Sequence, residues 1–233
     1  MPLDKLTIIG AGLLGGSIGL AARARGLARR VSALVRRPES LAECQALGIA
    51  NEVTLDPAEA VACADLVVLC TPISGMAGLA KRTLPDLKPG TVITDVGSTK
   101  QQLVAELTPL CAGAGARFVG SHPMAGSDQT GPSAARADLF DGTVCVVTPT
   151  GDTDADALAT VNDFWAGLGS RPVVMPADTH DRLVARCSHL PHLLASALAG
   201  RVLDPAHGEQ QAQLCATGFR DMTRLAAGSP VMW

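Results

Sequence analysis

Little in this sequence commits it to a macromolecular partner. Its 233 residues carry 19 Lys and Arg against 22 Asp and Glu, a formal charge of -3, scattered without a basic stripe. That excludes the electrostatic footprint of a nucleic-acid binder or of a protein held on an anionic membrane. No span is long and apolar enough to cross a bilayer, and no internal repeat or low-complexity tract is present. The seven cysteines form no CxxC pair and are odd in number, which reads as reduced thiols in a cytoplasmic protein. What is present is apolar bulk: 47% of the residues are hydrophobic, enough for one full α/β domain and a smaller unit. A small-molecule function fits best.

The apolar stretch from Leu6 to Ala22, with Ala21, Ala22 and Ala24 at its end, imitates a signal peptide. Its flanks argue otherwise, because Asp4 cancels Lys5 and Gly10, Gly12, Gly15, Gly16 and Gly19 interrupt the run where a turn and helix make better sense. Short β-branched runs then alternate with helical patterns. Strands are expected at Leu6–Gly10, Val31–Val35, Leu66–Cys70, Thr91–Val96, Arg117–Gly120, Thr143–Thr148 and Pro172–Met175. Strands apolar on both faces, such as Leu66-Val67-Val68-Leu69, call for a parallel sheet covered by helices on either side, hence a doubly wound Rossmann domain over residues 1–176. Beyond Pro176 no strand pattern recurs. Ala177–Val202 reads as one long helix broken near Pro191, opening an all-helical domain over 177–233. Ser229 and Pro230 look like the cap and first residue of a further helix, so the chain is expected to stop mid-element.

Gly10-Ala11-Gly12-Leu13-Leu14-Gly15 follows the first strand and opens a helix. In that context the glycines have a mechanism. Gly10 permits the tight turn, Gly12 lets a pyrophosphate approach, Gly15 lets the helix pack closely, and the first-turn amides, including those of Leu13 and Leu14, face the anion. Thr71 and Pro72, after the strand ending at Cys70, complete the expected cofactor set. At the end of the second strand, where an acid would hold the ribose hydroxyls of NAD, stand Arg36 and Arg37. Two guanidiniums can pair with the 2′-phosphate of NADP, so NADP is favoured. The competing reading is a solvated arginine pair with NAD bound regardless.

Four further segments stand out: Asp95-Val96-Gly97-Ser98-Thr99-Lys100, Gly120-Ser121-His122-Pro123-Met124-Ala125-Gly126-Ser127, Ser188-His189-Leu190-Pro191-His192 and Gly218-Phe219-Arg220-Asp221-Met222-Thr223-Arg224. Together with the glycine fingerprint they resemble the prephenate/arogenate dehydrogenase family in identity and order, across essentially the whole chain. The resemblance implies oxidative decarboxylation of prephenate or arogenate to 4-hydroxyphenylpyruvate or tyrosine, with hydride transfer to NAD(P)+, and a homodimer for the full-length protein. It lifts His122, expected in a Gly-rich loop just past a strand end, to the general base that takes the substrate hydroxyl proton, a task suited to neutral imidazole. Ser98 would contact that histidine or the hydroxyl, and it could equally cap a helix beginning at Thr99. Arg224 matches the family arginine that holds a substrate carboxylate, for which a two-pronged donor is apt. Arg220 could share its helix face, and Asp221 could orient either. His189, His192 and Ser127 are placed on the substrate side. His192 could donate to a keto acid, which leans towards prephenate, and tolerance of both substrates stays open. With Cys187 near, the two histidines invite a metal reading, but a fourth ligand and the usual spacing are missing, so no metal is expected. His180 reads most simply as a first-turn helix residue, although the family pattern has a His-Asp pair there.

Two other readings remain. One is another Rossmann oxidoreductase of the hydroxyacid dehydrogenase or imine reductase type, and the other a non-catalytic NADP-binding sensor. Because family members continue for several helices that build the dimer, a chain ending at Trp233 is expected to dimerise poorly. No ACT-type or mutase domain is visible.

Overall fold

The computed structural model describes residues 2–127, 129–202 and 206–228, so the helix start expected at Ser229 and Pro230 lies outside the described residues. Two compact units divide the chain, Met1–His180 and Asp181–Trp233.

The first unit opens with β1 (Leu3–Ile9), α1 (Leu13–Ala24), β2 (Ala28–Leu34), α2 (Pro38–Ala46), β3 (Glu52–Thr54), α3 (Pro57–Val61), β4 (Leu66–Leu69), α4 (Ile73–Thr83), β5 (Val92–Asp95), α5 (Gln101–Gly113) and β6 (Arg117–Phe118). The six strands form one parallel sheet in the order β3-β2-β1-β4-β5-β6. Strand order reverses between β1 and β4, which opens the crevice where such sheets take ligands. All four residues of β4 are buried, and they alternate between two cores. Leu66 and Val68 join Leu6, Ile8, Ile18 and Trp165 on one face, whereas Val67 and Leu69 join Ile9, Ile93, Met76 and Leu107 on the other. The period-two alternation of side chains therefore feeds two apolar layers at once, which is why the strand shows no polar face.

β7 (Gly120–Pro123), β8 (Val144–Thr148), α6 (Ala155–Gly167) and β9 (Arg171–Val174) follow. They build a second sheet, β7-β8-β9, with β7 antiparallel and β9 parallel to β8. This differs from expectation in two ways. The single strand read over Arg117–Gly120 is two strands, because the parallel ladder lasts only until the Val119 amide donates to Ile93 O (2.9 Å) and β7 then leaves to pair with β8. His122 therefore lies within a strand and is buried, where a glycine-rich loop was expected. The three-residue edge strand β3 had no sequence signal, being half-exposed and too short to show alternation.

α7 (Ala177–Val184) straddles the division between the units. A five-residue π turn over Ala185–His189 and then α8 (Leu190–Val202) follow, so the break expected near Pro191 takes the form of a wider turn immediately before it. Proline donates no hydrogen bond, and its ring crowds the carbonyl one turn back; the π turn gives it room. In the second unit α8 packs against α10 (Thr217–Thr223) and the closing 3-10 turn Arg224–Ala227, with α9 (Gly208–Leu214) before them. Leu193, Leu194, Leu214 and Met222 are exposed.

Candidate active site

The C-terminal edge of the parallel sheet gathers most of the expected residues. Gly10 takes φ +99°, and a Cβ there would lie 2.9 Å from Cys70 O, so only glycine turns the chain out of β1. At Gly15 an added Cβ would meet Gly10 O at 2.0 Å, which fixes how closely α1 closes on the strand. Gly12 faces open space, with nothing within 4 Å of where its Cβ would stand. It caps α1 without any side-chain hydrogen bond, leaving the first-turn amides, Leu13 and Leu14 among them, to an anion. Beside this loop the Thr71 hydroxyl is buried with no protein partner. A polar atom so placed costs free energy unless a ligand completes it, and Thr71 adjoins Gly10, since its Cγ2 would lie 2.9 Å from a Cβ there. Pro72 caps α4 next in the chain. An open cradle, unpaired helix amides and an orphaned hydroxyl fit a dinucleotide.

The second strand ends at the same edge. The Gly10 amide donates to Leu34 O (2.9 Å), placing exposed Arg36 two residues beyond, at the lip of the glycine loop. Arg37 caps α2, whose first turn holds Glu39.

At the end of β5 a buried network ties two loops together. The Lys100 ammonium pairs with the Asp95 carboxylate, both side chains fully buried, and donates to Ser121 O at 2.9 Å. The other carboxylate oxygen accepts from the Ser121 amide (3.0 Å), while Oδ2 accepts from Gly97 N (2.7 Å). The Ser121 hydroxyl donates to Asp95 O (2.5 Å) and stands 2.7 Å from Thr94 Oγ1 and 3.0 Å from the donating Trp165 indole. One donated and two accepted bonds saturate it. The network draws β7 across the end of β5. Burial and then the Asp95 charge push the Cys70 thiol up, and burial does the same to Cys145 although the His122 amide donates to it. Both remain unreactive thiols.

His122 follows Ser121 and is 9% exposed; its Nδ1 lies 2.9 Å from Nε2 of His180, which is 1% exposed. The rings cross nearly at right angles, 78°, with centroids 5.1 Å apart. His180 is the residue that reading the sequence missed. Its signal is the His-Asp pair at 180–181, which reads locally as a first-turn helix residue; its partner in the fold lies 58 residues away. Ser98 is exposed on the loop between β5 and α5. It is not the helix cap: α5 begins at Gln101 and Lys100 holds the cap position, its side chain turned inward to Asp95. Ser127 is exposed beyond β7, and its hydroxyl accepts from Gln129 N (3.2 Å).

The remaining expected residues belong to the second unit. His189 lies in the π turn and His192 in α8, both half-buried. Arg220 and Asp221 are exposed on α10, and Arg224 is exposed at the first position of the 3-10 turn. Arg220 lies on α10, and Arg224 caps its C-terminus in a helical backbone conformation. No group of three or more His, Cys, Asp or Glu side chains that could hold a metal ion occurs among the described residues. A surface cavity of about 420 Å³ lined by Asp4, Arg29, Arg30, Cys63 and Lys88 sits where β1 and β2 begin, at the opposite end of the sheet from the glycine loop.

Residues 18–174 match the family described as prephenate dehydrogenase, nucleotide-binding domain, and residues 176–233 the one described as prephenate dehydrogenase, dimerization domain. A cyclohexadienyl dehydrogenase of Zymomonas mobilis is 36% identical over 98% of this chain and 78% of its own length. A prephenate dehydrogenase of Lactococcus lactis is 34% identical over 99% of this chain, which spans 63% of that relative. The crystal structure of prephenate dehydrogenase from A. aeolicus, in complex with hydroxyphenyl propionate and NAD+, superposes with a TM-score of 0.91 at 30% identity, covering 100% of this chain and 81% of that one.

Proposed function

Because the chain belongs to the prephenate dehydrogenase family, we propose that it oxidatively decarboxylates prephenate, with arogenate as the alternative substrate, in the formation of tyrosine. The observation that carries this reading is the buried His122, seated on β7 where that strand crosses the end of β5, at the same C-terminal edge of the parallel sheet as the open glycine cradle after β1.

Gly10, Gly12, Gly15 and the amides of Leu13 and Leu14 hold the pyrophosphate, with Thr71 and Pro72 beside it. When bound, the nicotinamide supplies the acceptor for the hydride that leaves substrate C4. His122 takes the C4 hydroxyl proton at Nε2, so the carbon that loses hydride becomes a carbonyl carbon. Breaking the bond to the ring carboxylate releases CO2; its electron pair completes the aromatic ring and leaves the C4 oxygen as a phenolate, which takes the proton back from His122. The product is 4-hydroxyphenylpyruvate from prephenate, or tyrosine from arogenate. Ser98 orients the hydroxyl, Arg224 holds a carboxylate bidentately, and His189, His192, Ser127 and Asp221 serve the substrate side.

NADP is the cofactor of this reading, supported by Arg36 and Arg37 with no acid between them and the end of β2; NAD is the alternative. For the full-length protein this reading includes a homodimer joined through the second unit, supported by the match of that unit to a dimerization domain and by its exposed leucines at 193, 194 and 214. A cytoplasmic location rests on seven unpaired cysteines.

The test is absorbance of reduced nicotinamide with prephenate or arogenate, each paired with NADP+ or NAD+. Turnover with one pair, falling by about 10³-fold in His122→Asn, supports the reading. Silence in all four pairs, or a His122→Asn variant as fast as the parent, refutes it.

A further inference from the structure

The contact between His122 and His180 has a direction that the chemistry dictates. One of the two facing nitrogens must carry the hydrogen, since His122 Nδ1 and His180 Nε2 stand 2.9 Å apart. If His180 donated, the His122 proton would sit on Nε2 and that nitrogen could not act as a base. If His122 donates through Nδ1, its Nε2 is the unprotonated nitrogen, which carries the lone pair a base needs. When His122 then takes the proton, the same Nδ1–H to Nε2 bond becomes charge-assisted, and no heavy atom has to move.

We infer that His180 is a positioning residue for His122, accepting the Nδ1–H bond and thereby presenting Nε2 as the base; this rests on the reading of His122 as the proton acceptor. The fold holds His180 for the task. It lies in the first turn of α7, its amide donates to Pro176 O (3.0 Å), and its ring is all but inaccessible to solvent. Such a ring cannot be replaced by water without rearrangement. The charged and titratable groups on the elements that carry or flank the pair are Asp178, Asp181 and Arg182 along α7, Cys145 on β8 facing the His122 backbone, and the mutually neutralising Asp95 and Lys100 behind Ser121.

The experiment compares His180→Leu with His180→Gln, whose amide oxygen can reach the place of the ring Nε2 and accept the same hydrogen. His180→Leu lowers kcat on the order of 100-fold with KM changed less than about threefold, as expected when a base loses its tautomer control. Its acidic limb moves to lower pH, because a buried imidazolium without the acceptor is harder to form. His180→Gln restores most of the rate. In parallel, ¹⁵N NMR of histidine-labelled protein reads the tautomer directly: protonated at Nδ1 of His122 in the parent, shifted towards Nε2–H in His180→Leu. The inference is overturned if the pH profile of His180→Leu keeps its midpoint, if glutamine is as poor as leucine, or if the parent His122 carries its proton on Nε2. Should the parent turn over none of the four substrate and cofactor pairs, the family activity falls, and the NMR comparison decides the His180 assignment independently.

Discussion

Lys100→Met tests what holds β7 against β5. The substitution keeps the length and apolar stem of the side chain and removes only its charge and donors. It leaves the Asp95 carboxylate fully buried, with the Gly97 and Ser121 amides as remaining donors and no counter-ion, and it strips Ser121 O of its 2.9 Å bond. Removing one partner of a buried pair costs about 3–5 kcal/mol, a large share of the roughly 5–15 kcal/mol that stabilises a folded domain. At about 2–4 °C per kcal/mol for a protein of this size, the midpoint of thermal unfolding falls by roughly 6–20 °C. The double variant Asp95→Asn/Lys100→Met buries no charge, and the asparagine still accepts from one of the two amides. It should unfold at a higher temperature than Lys100→Met, with a coupling of roughly 2 kcal/mol or more in a double-mutant cycle from urea unfolding. Additive single effects, or a Lys100→Met variant within about 1 kcal/mol of the parent, would refute the reasoning. In the surviving Lys100→Met protein the uncompensated Asp95 carboxylate, bonded to the amide of Ser121 next to His122, favours the imidazolium. The acidic limb of kcat/KM then moves to higher pH, opposite in sign to the shift expected for His180→Leu.

Three further outcomes follow from the geometry. Gly15→Ala forces its Cβ to 2.0 Å from Gly10 O and so lowers both stability and dinucleotide affinity, whereas Gly12→Ala meets nothing within 4 Å and lowers affinity alone; melting curves with and without cofactor separate the two, and equal melting points would sink the contrast. Arg36→Asp shifts the ratio of affinities from NADP towards NAD on titration, by about tenfold or more, and an unchanged ratio removes Arg36 from the cofactor site. The Asp65 carboxyl, although burial works to raise it, is held below its ordinary range by Lys88 and by the amides of Lys5 and Asp4. Its contribution is present above the unfolded value near pH ~4 and is lost as pH falls through the lower folded value, so Asp65→Asn makes stability less sensitive to acid; parallel stability curves for parent and variant between pH 3 and 6 would contradict this.

The parts of the fold legible in the sequence are those that local geometry or solvent exclusion dictates. Gly10 and Gly15 announce the loop because no other residue survives a φ of +99° or a 2.0 Å approach. β4 announces a sandwiched parallel strand because every side chain from Leu66 to Leu69 is buried. β7 announces nothing: Gly, Ser, His and Pro show neither alternation nor β-branching, and the strand exists because partners 21 to 44 residues away in sequence hold Ser121. The same remoteness hid His180. Ser98 misled for the opposite reason, since Ser-Thr before a helical run is a good local cap signal, and it lost to the tertiary demand that Lys100 turn inward to Asp95.

A base carried on a strand behaves differently from one carried on a loop. β7 exchanges backbone bonds with β8 along its whole length, its Ser121 is saturated by Asp95, Thr94 and Trp165, and its His122 meets His180 in a buried contact. The position of His122 is therefore set before any ligand arrives, whereas the glycine loop, Thr71 and Arg36 present open or unfilled groups that a ligand completes. Preorganised groups act on the barrier, and groups completed by a ligand act on its affinity. Substitutions at Lys100 and His180 should accordingly lower kcat with little change in the cofactor dissociation constant, and those at Gly12 and Arg36 should do the reverse. If Lys100→Met instead weakened cofactor binding as much as Gly12→Ala does, the Asp95–Lys100 network would belong to the cofactor site, and preorganised and ligand-completed groups would not divide the work in this way.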